Sequence, residues 1–185
     1  MIICNDEAKI LYAYSGWPAN VHDQRVWRNT IIAKNPLTYF SPREYILSDS
    51  ALAPSNYVVP SFKAPPMTSL PEDQEHFNKH LASVRIKIEH VNGLLKGRFP
   101  ILKNMNINIK KDKDVMKVVR VFMACCILHN FLHVPGELPH EFYESIIEDL
   151  IDEDDPEFTD DISVINWDND SRRRSIMEFL LDYKY

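Results

Sequence analysis

The sequence predicts an α/β domain with a mixed sheet, and three observations carry that expectation. Two short apolar, β-prone runs, residues 1–5 (MIICN) and 8–14 (KILYAYS), flank Asp6-Glu7 in the pattern of a hairpin. A helical stretch then leads to a third apolar run, REYILSD, which ends at Asp49. Two long helical segments follow, so the order is strand, strand, helix, strand, helix, helix. Three strands make a thin sheet, and a further strand ahead of Met1 would make it more complete.

The elements read as follows. Gly16, Pro18 and Asn20 punctuate a loop. One helix is expected from Val21 to about Lys34, with Val21, Val26, Ile31 and Ile32 inward and Asn20 or His22 as its cap. Pro36 and Pro42 bracket a loop, and the strand ending at Asp49 runs into the turn-rich SALAPSN. YVVPSF is a brief extended piece stopped by Pro60, and residues 62–71, with three prolines, form a connector. The strongest helix spans about Glu72 to Lys96. Phe77, Leu81, Val84, Ile88, Val91 and Leu95 make one apolar stripe along it, acidic residues favour its start, and Gly97 and Pro100 end it. A second long helix, about Asp112 to Phe131, is apolar on most sides and is expected to be buried. Residues 134–170 read as an acidic, disordered linker, and 171–185 as a short amphipathic C-terminal helix.

Composition narrows the function classes. The apolar share of 45% and the charged share of 26% are those of a folding domain. No run of 18 apolar residues marks a membrane span, and MIICNDEAKI lacks the basic n-region of a signal peptide. The three cysteines, Cys4, Cys125 and Cys126, form no CxxC pair and read as buried thiols of a reducing compartment. The net charge of −6 hides two opposed parts: residues 1–133 hold 17 Lys/Arg against 11 Asp/Glu, and the remainder 4 against 16. The basic excess lies between residues 80 and 120, where it either coats a solvated helix face or meets a phosphate backbone.

Two carboxylates stand out. Asp49 closes a buried strand, at the sheet end where α/β folds bind ligands. Glu89 sits at the margin of the long helix's apolar stripe, with Arg85, Asn92 and Lys96 on the same polar face. Taken singly, Asp49 reads equally as a turn cap and Glu89 as half of an ion pair with Arg85. His22 and Asp23 do not form a dyad, since neighbours on a helix point about 100° apart.

Four segments together resemble the PIF/Harbinger transposase-derived nucleases, the DDE superfamily endonuclease domain. They are YAYSGWPANVHDQRVWRN, YILSDSALAPSNYVVPSFKAP, FNKHLASVRIKIEHVNGLLKGRFPILK and ACCILHNFL. The resemblance covers roughly residues 1–133. It implies a ribonuclease-H-like fold, here incomplete and lacking the first strand. It also implies a triad of two Asp and one Glu around Mg²⁺ or Mn²⁺, with the second Asp at Asp49 and the Glu at Glu89. The first Asp belongs to an opening strand that has no counterpart in these residues. The resemblance further implies DNA as substrate, with Arg85, Lys87, Lys96 and Arg98 as phosphate contacts, a separate DNA-binding partner protein and a nuclear location. His22 and Asp23 are expected to shape the loop near the site, and His129 and Asn130 to be structural. Leu52, Asn92 and Ala19 depart from the family pattern. The expectation is therefore a nuclease domain with two of three catalytic carboxylates and no activity as it stands. The alternative is a domesticated DNA- or protein-binding module without catalysis.

Overall fold

A computed structural model describes residues 1–133 and 170–182. The acidic segment, apart from Asp170, lies outside the described residues. The strands are β1 (Ile2–Cys4), β2 (Ile10–Ala13), β3 (Ile46–Ser48) and β4 (Val58–Pro60). The helices are α1 (Asp23–Arg28), α2 (Ile31–Lys34), α3 (Pro36–Tyr39), α4 (Glu72–Arg98), α5 (Asp112–Leu132) and α6 (Ser171–Asp182), with a 3₁₀ turn at Pro100–Leu102.

The α/β expectation holds, but the single mixed sheet does not. The described strands form two separate pairs, β1–β2 antiparallel and β3–β4 parallel. The extended piece YVVPSF supplies a fourth strand, in register with β3 from Ile46↔Val58 to Ser48↔Pro60. Alternation along each strand places both pairs in one layer. Ile3, Ile46 and Val58 pack toward Trp27 and Ile32 of α1 and α2. Ile2 and Cys4 face Val91, Leu95 and Cys126, while Leu47 and Val59 face Phe77 and Leu81. Short helices thus cover one face, and α4, α5 and α6 the other.

The predicted single helix from Val21 to Lys34 is broken into α1 and α2. Thr30, fully buried, donates its hydroxyl to the Trp27 carbonyl at 2.8 Å and accepts from the Ala33 N–H at 3.1 Å. That side chain ends one helix and caps the next, because a threonine offers the backbone a partner outside the helical ladder. Pro36, read as a loop boundary, starts α3 at the first helical position, where its missing N–H costs nothing. The carbonyl of His22 opens α1, and neither it nor Asn20 makes a side-chain cap there.

α4 is the spine. Phe77, Leu81, Val91, Leu94 and Leu95 are buried along it, Glu72, Asp73 and Glu75 fill its first turn, and Lys96 and Arg98 its last. The stripe is interrupted at its centre, where Val84 is 53% exposed.

α5 was expected to be buried throughout, and it is not. Cys125, Cys126 and His129 are buried, whereas Ile127, Leu128 and Phe131 are exposed. Helices with apolar residues all round need cover on every side, and the described residues cover one. By length and composition alone α5 could cross a membrane. Its buried side latches the hairpin. The Asn130 amide donates to the Ile10 carbonyl at 2.7 Å and accepts the Ile10 N–H at 2.8 Å. His129 Nε2 donates to the Ala8 carbonyl at 3.0 Å, at a turn residue held at φ 63°. Its Nδ1 then accepts from Arg98, 3.4 Å away. The three cysteines are free; Cys125 and Cys126 are buried, and burial pushes the Cys126 thiol up to about 11.

α6 is an integral part of the core. Ile176 is buried against Val59, Phe77 and Leu81. Arg172, 5% exposed, donates to the carbonyls of Pro42, Arg43 and Glu44 at 3.1–3.2 Å and lies over the Tyr45 ring. The segment it holds feeds directly into β3. Replacing Arg172 by Met should keep much of the packing but strand those carbonyls. The expected loss is about 2 kcal/mol, read from the denaturant midpoint by circular dichroism.

His129 generates a second expectation. Burial lowers its pKa first; the Ala8 carbonyl opposes this, while Arg98 and His133 add to the lowering. The folded chain therefore takes up this proton at lower pH than the unfolded chain. Both states are neutral well above the ordinary value of about 6.5, and below it the unfolded state gains the proton first. Stability should fall as pH drops from about 7 toward 5. In thermal melts across that window, His129→Gln should flatten the slope.

Candidate functional site: a groove between two half-sheets

The site begins with β3. Ser48 is buried, and the chain emerges at Asp49, whose carboxylate is exposed at the strand's C-terminal end. Asp49 Oδ1 accepts the Ala51 N–H at 3.0 Å, an Asx turn that reverses the chain. Ser48 Oγ donates to the Asp49 carbonyl at 3.1 Å. Two further contacts fix the following loop. Leu52 is buried with Trp27, Ile32 and Val58. The Ala53 N–H donates to Gln24 Oε1 at 2.8 Å, so a residue of HDQRV on α1 holds the loop after Asp49 from 29 positions away. Sequence reasoning centred on His22 and Asp23 and passed over Gln24, although it lies in the same motif.

Asp49 stands on the wall of a groove of about 930 Å³ that separates the two strand pairs. One wall is Met1–Asp6, the other Tyr45–Asp49, and Val84, Arg85, Lys87, Ile88 and Asn92 of α4 line it from below. Asp6 and Asp23 also reach it. The predicted residues divide across this geometry. Arg85 and Lys87 line the groove together with Asp49. Glu89 is exposed and is not among the lining residues. It lies one helical turn from Arg85 and three residues before Asn92, so its row on α4 borders the lining rows. Lys96 is exposed one turn further on, and Arg98 is half-buried and turned to His129.

The oxygen donors of Asp49 and Glu89 are of the type a hard dication takes. Among the described residues, no group of three or more His, Cys, Asp or Glu is assembled to hold one. A carboxylate pair alone provides few of the six or more oxygens such ions require.

A family model, DDE superfamily endonuclease, matches residues 1–130. The chain belongs to this family. The match spans both strand pairs, the groove, α4 and nearly all of α5, and ends before α6. It makes the domain a transposase-type endonuclease by descent, a family that typically works with divalent metal. No curated protein and no solved structure matches the chain. The side-chain amides of Asn130 and Asn78 lie in segments that carried the resemblance. Asn78 repeats on the β4 side what Asn130 does at β2, bonding the Phe62 N–H at 2.8 Å and carbonyl at 3.0 Å.

Gln24→Ala should free the Asp49 loop while leaving the core intact. The expected signs are faster amide exchange at Ala53 and a stability loss of about 1 kcal/mol, seen by exchange-resolved NMR and denaturant titration. Unchanged exchange at Ala53 would mean that Gln24 does not hold the loop.

Proposed function

We propose that this is a transposase-derived DNA endonuclease domain of the PIF/Harbinger type, with a ribonuclease-H-like core, in which Asp49 and Glu89 are two of three metal-binding carboxylates. One observation carries the reading: Asp49 leaves a parallel strand at the wall of a groove lined by α4, on the helix whose neighbouring row bears Glu89. The family match gives that placement its chemical meaning.

In this reading Asp49 and Glu89 would hold Mg²⁺ or Mn²⁺. The metal, when bound, activates water and stabilises the leaving oxygen of a phosphodiester. The chain's own contributions are positional. The Asx turn and Gln24 aim Asp49, and the length of α4 presents Glu89. Arg85 and Lys87 beside the groove, with exposed Lys96 beyond, offer cations to the DNA backbone. Arg98 contributes less to phosphate because His129 engages it. Asp6 and Asp23 reach the same groove, but no three carboxylates are assembled among the described residues, so in this reading the domain as described binds metal weakly and does not cleave. With this reading go the nuclear location and the separate DNA-binding partner protein that the family resemblance implies.

A binding role without catalysis is the second reading. Lys103, Lys110, Lys111, Lys113 and Lys117 are exposed beside or at the start of α5, a charged surface that needs no metal. Metal binding separates the two: weak Mn²⁺ binding that Asp49→Ala abolishes supports the first, and salt-dependent DNA binding with no metal binding supports the second. Supercoiled plasmid with Mg²⁺ or Mn²⁺ should remain intact. Filter binding should show DNA affinity that falls steeply with salt, by a log–log slope of roughly one per phosphate contact. Metal-dependent nicking that disappears in Asp49→Ala would overturn the inactive assignment. Loss of neither metal binding nor activity in that variant would overturn the site.

A further inference from the structure

We propose that His76 and His80 of α4 form a metal site of their own, suited to a borderline dication such as Zn²⁺ and separate from the groove. The sequence holds two histidine pairs at the i, i+4 spacing that puts side chains on one helix face: His76–His80 on α4, and His129–His133 at the end of α5. The structure uses them differently. His129 spends Nε2 on the Ala8 carbonyl and turns Nδ1 to Arg98, so that pair serves the hairpin latch. His76 and His80 turn their Nε2 atoms toward each other, 3.3 Å apart, with ring centroids at 4.5 Å.

The distance decides between two uses of this pair. An N–H hydrogen bond is ordinarily about 2.9–3.0 Å long, so 3.3 Å is loose for two rings held only by a shared proton. A tetrahedral Zn²⁺ with Zn–N bonds of about 2.0–2.1 Å sets its ligand nitrogens roughly 3.3–3.4 Å apart. The two nitrogens already span one edge of that polyhedron. The contact also fixes the chemistry, because a ring that accepts its neighbour's N–H is neutral at Nε2, the form a metal takes.

Neighbours hold the pair in place. Phe77 and Leu81, one position beyond each histidine, are 2% and 4% exposed and pack with Val59 of β4 and Ile176 of α6. Asn78, between the histidines, clamps the Phe62 backbone, and Ser83 Oγ donates to the His80 carbonyl at 2.7 Å. Ligands on a rigid turn lose little freedom on binding. Glu72, Asp73 and Glu75 in the first turn of α4 favour a cation and offset the positive end of the helix dipole, against exposed Lys79. Imidazole nitrogen suits Zn²⁺, Cu²⁺ or Ni²⁺, whereas carboxylate oxygen suits Mg²⁺ and Mn²⁺. His80 precedes Glu89 by about 13 Å along the helix axis, and neither histidine lines the groove. No third His, Cys, Asp or Glu joins them among the described residues, so the other positions of the tetrahedron fall to water or to a donor from another molecule. Bound metal would tie one turn of α4 to the next, just where β4 and α6 rest on it.

The site stands on this geometry and not on the nuclease reading. The test titrates the full chain with ZnCl₂, following the histidine ring protons by NMR and the heat by calorimetry. The expected result is saturable binding that moves the His76 and His80 signals ahead of the other histidines. The thermal midpoint should rise on saturation, since a ligand that binds the folded state stabilises it. His76→Gln and His80→Gln should each weaken binding at least about tenfold. Asp49→Ala and Glu89→Ala should leave it unchanged, and Mg²⁺ should not compete. The ring signals of the unsubstituted chain decide the matter even where a variant fails to fold. Unmoved His76 and His80 signals at about 1 mM Zn²⁺, the weak end of specific association, would overturn the proposal. Full affinity in both histidine variants would also overturn it, by marking an adventitious ion only. So would loss of Zn²⁺ binding in Asp49→Ala, which would assign the metal to the groove.

Discussion

One helix bears the arrangement. Among the described residues, the apolar stripe of α4 is a long surface on which both strand pairs rest, β1 through Val91 and Leu95, and β4 through Phe77 and Leu81. Neither pair of strands could persist without it, because two strands bury too little apolar area to offset the entropy of ordering them. The same helix sets the spacing between the pairs and so defines the groove. It also displays Arg85, Glu89, Asn92 and Lys96 along one polar row beside that groove. Core and candidate site are therefore two faces of a single element.

Side chains finish what the short strands leave incomplete. Asn130 and Asn78 use both ends of an amide to imitate a neighbouring strand, each satisfying one backbone N–H and one carbonyl. Arg172 does the corresponding work for three successive carbonyls ahead of β3, and His129 for the left-handed turn at Ala8. Buried backbone groups without partners are costly, and these contacts remove that cost at the outer flanks. The consequence reaches the site: Arg172 and Gln24 hold the segments entering and leaving β3, the strand that delivers Asp49.

The electrostatics follow from exposure. Asp49 and Glu89 are both exposed, so neither is forced to pair within the chain. Any affinity for a dication must come from convergence of oxygens rather than from burial. Asp49 already lends one oxygen to its turn, which orients the carboxylate but reduces what it offers a metal. Basic side chains close by favour a polyanion at the same surface.

Much of this was legible in the sequence. The 3.6-residue recurrence of apolar positions located α4, composition located α5 and α6, and the match of four motifs to a nuclease family agreed with the family found across residues 1–130. Short-range rules failed where a single side chain outbid the local pattern, as Thr30 did in splitting one helix into two. They also overstated burial in α5, because hydrophobicity states what a helix would gain from cover and not whether cover exists. What tertiary structure alone decided is how distant segments meet: Gln24 with Ala53, Arg172 with Pro42, Asn130 with Ile10, and two strand pairs that share no ladder among the described residues. Sequence periodicity reports which face of an element is apolar; pairing between elements far apart in the chain depends on geometry that no local window contains.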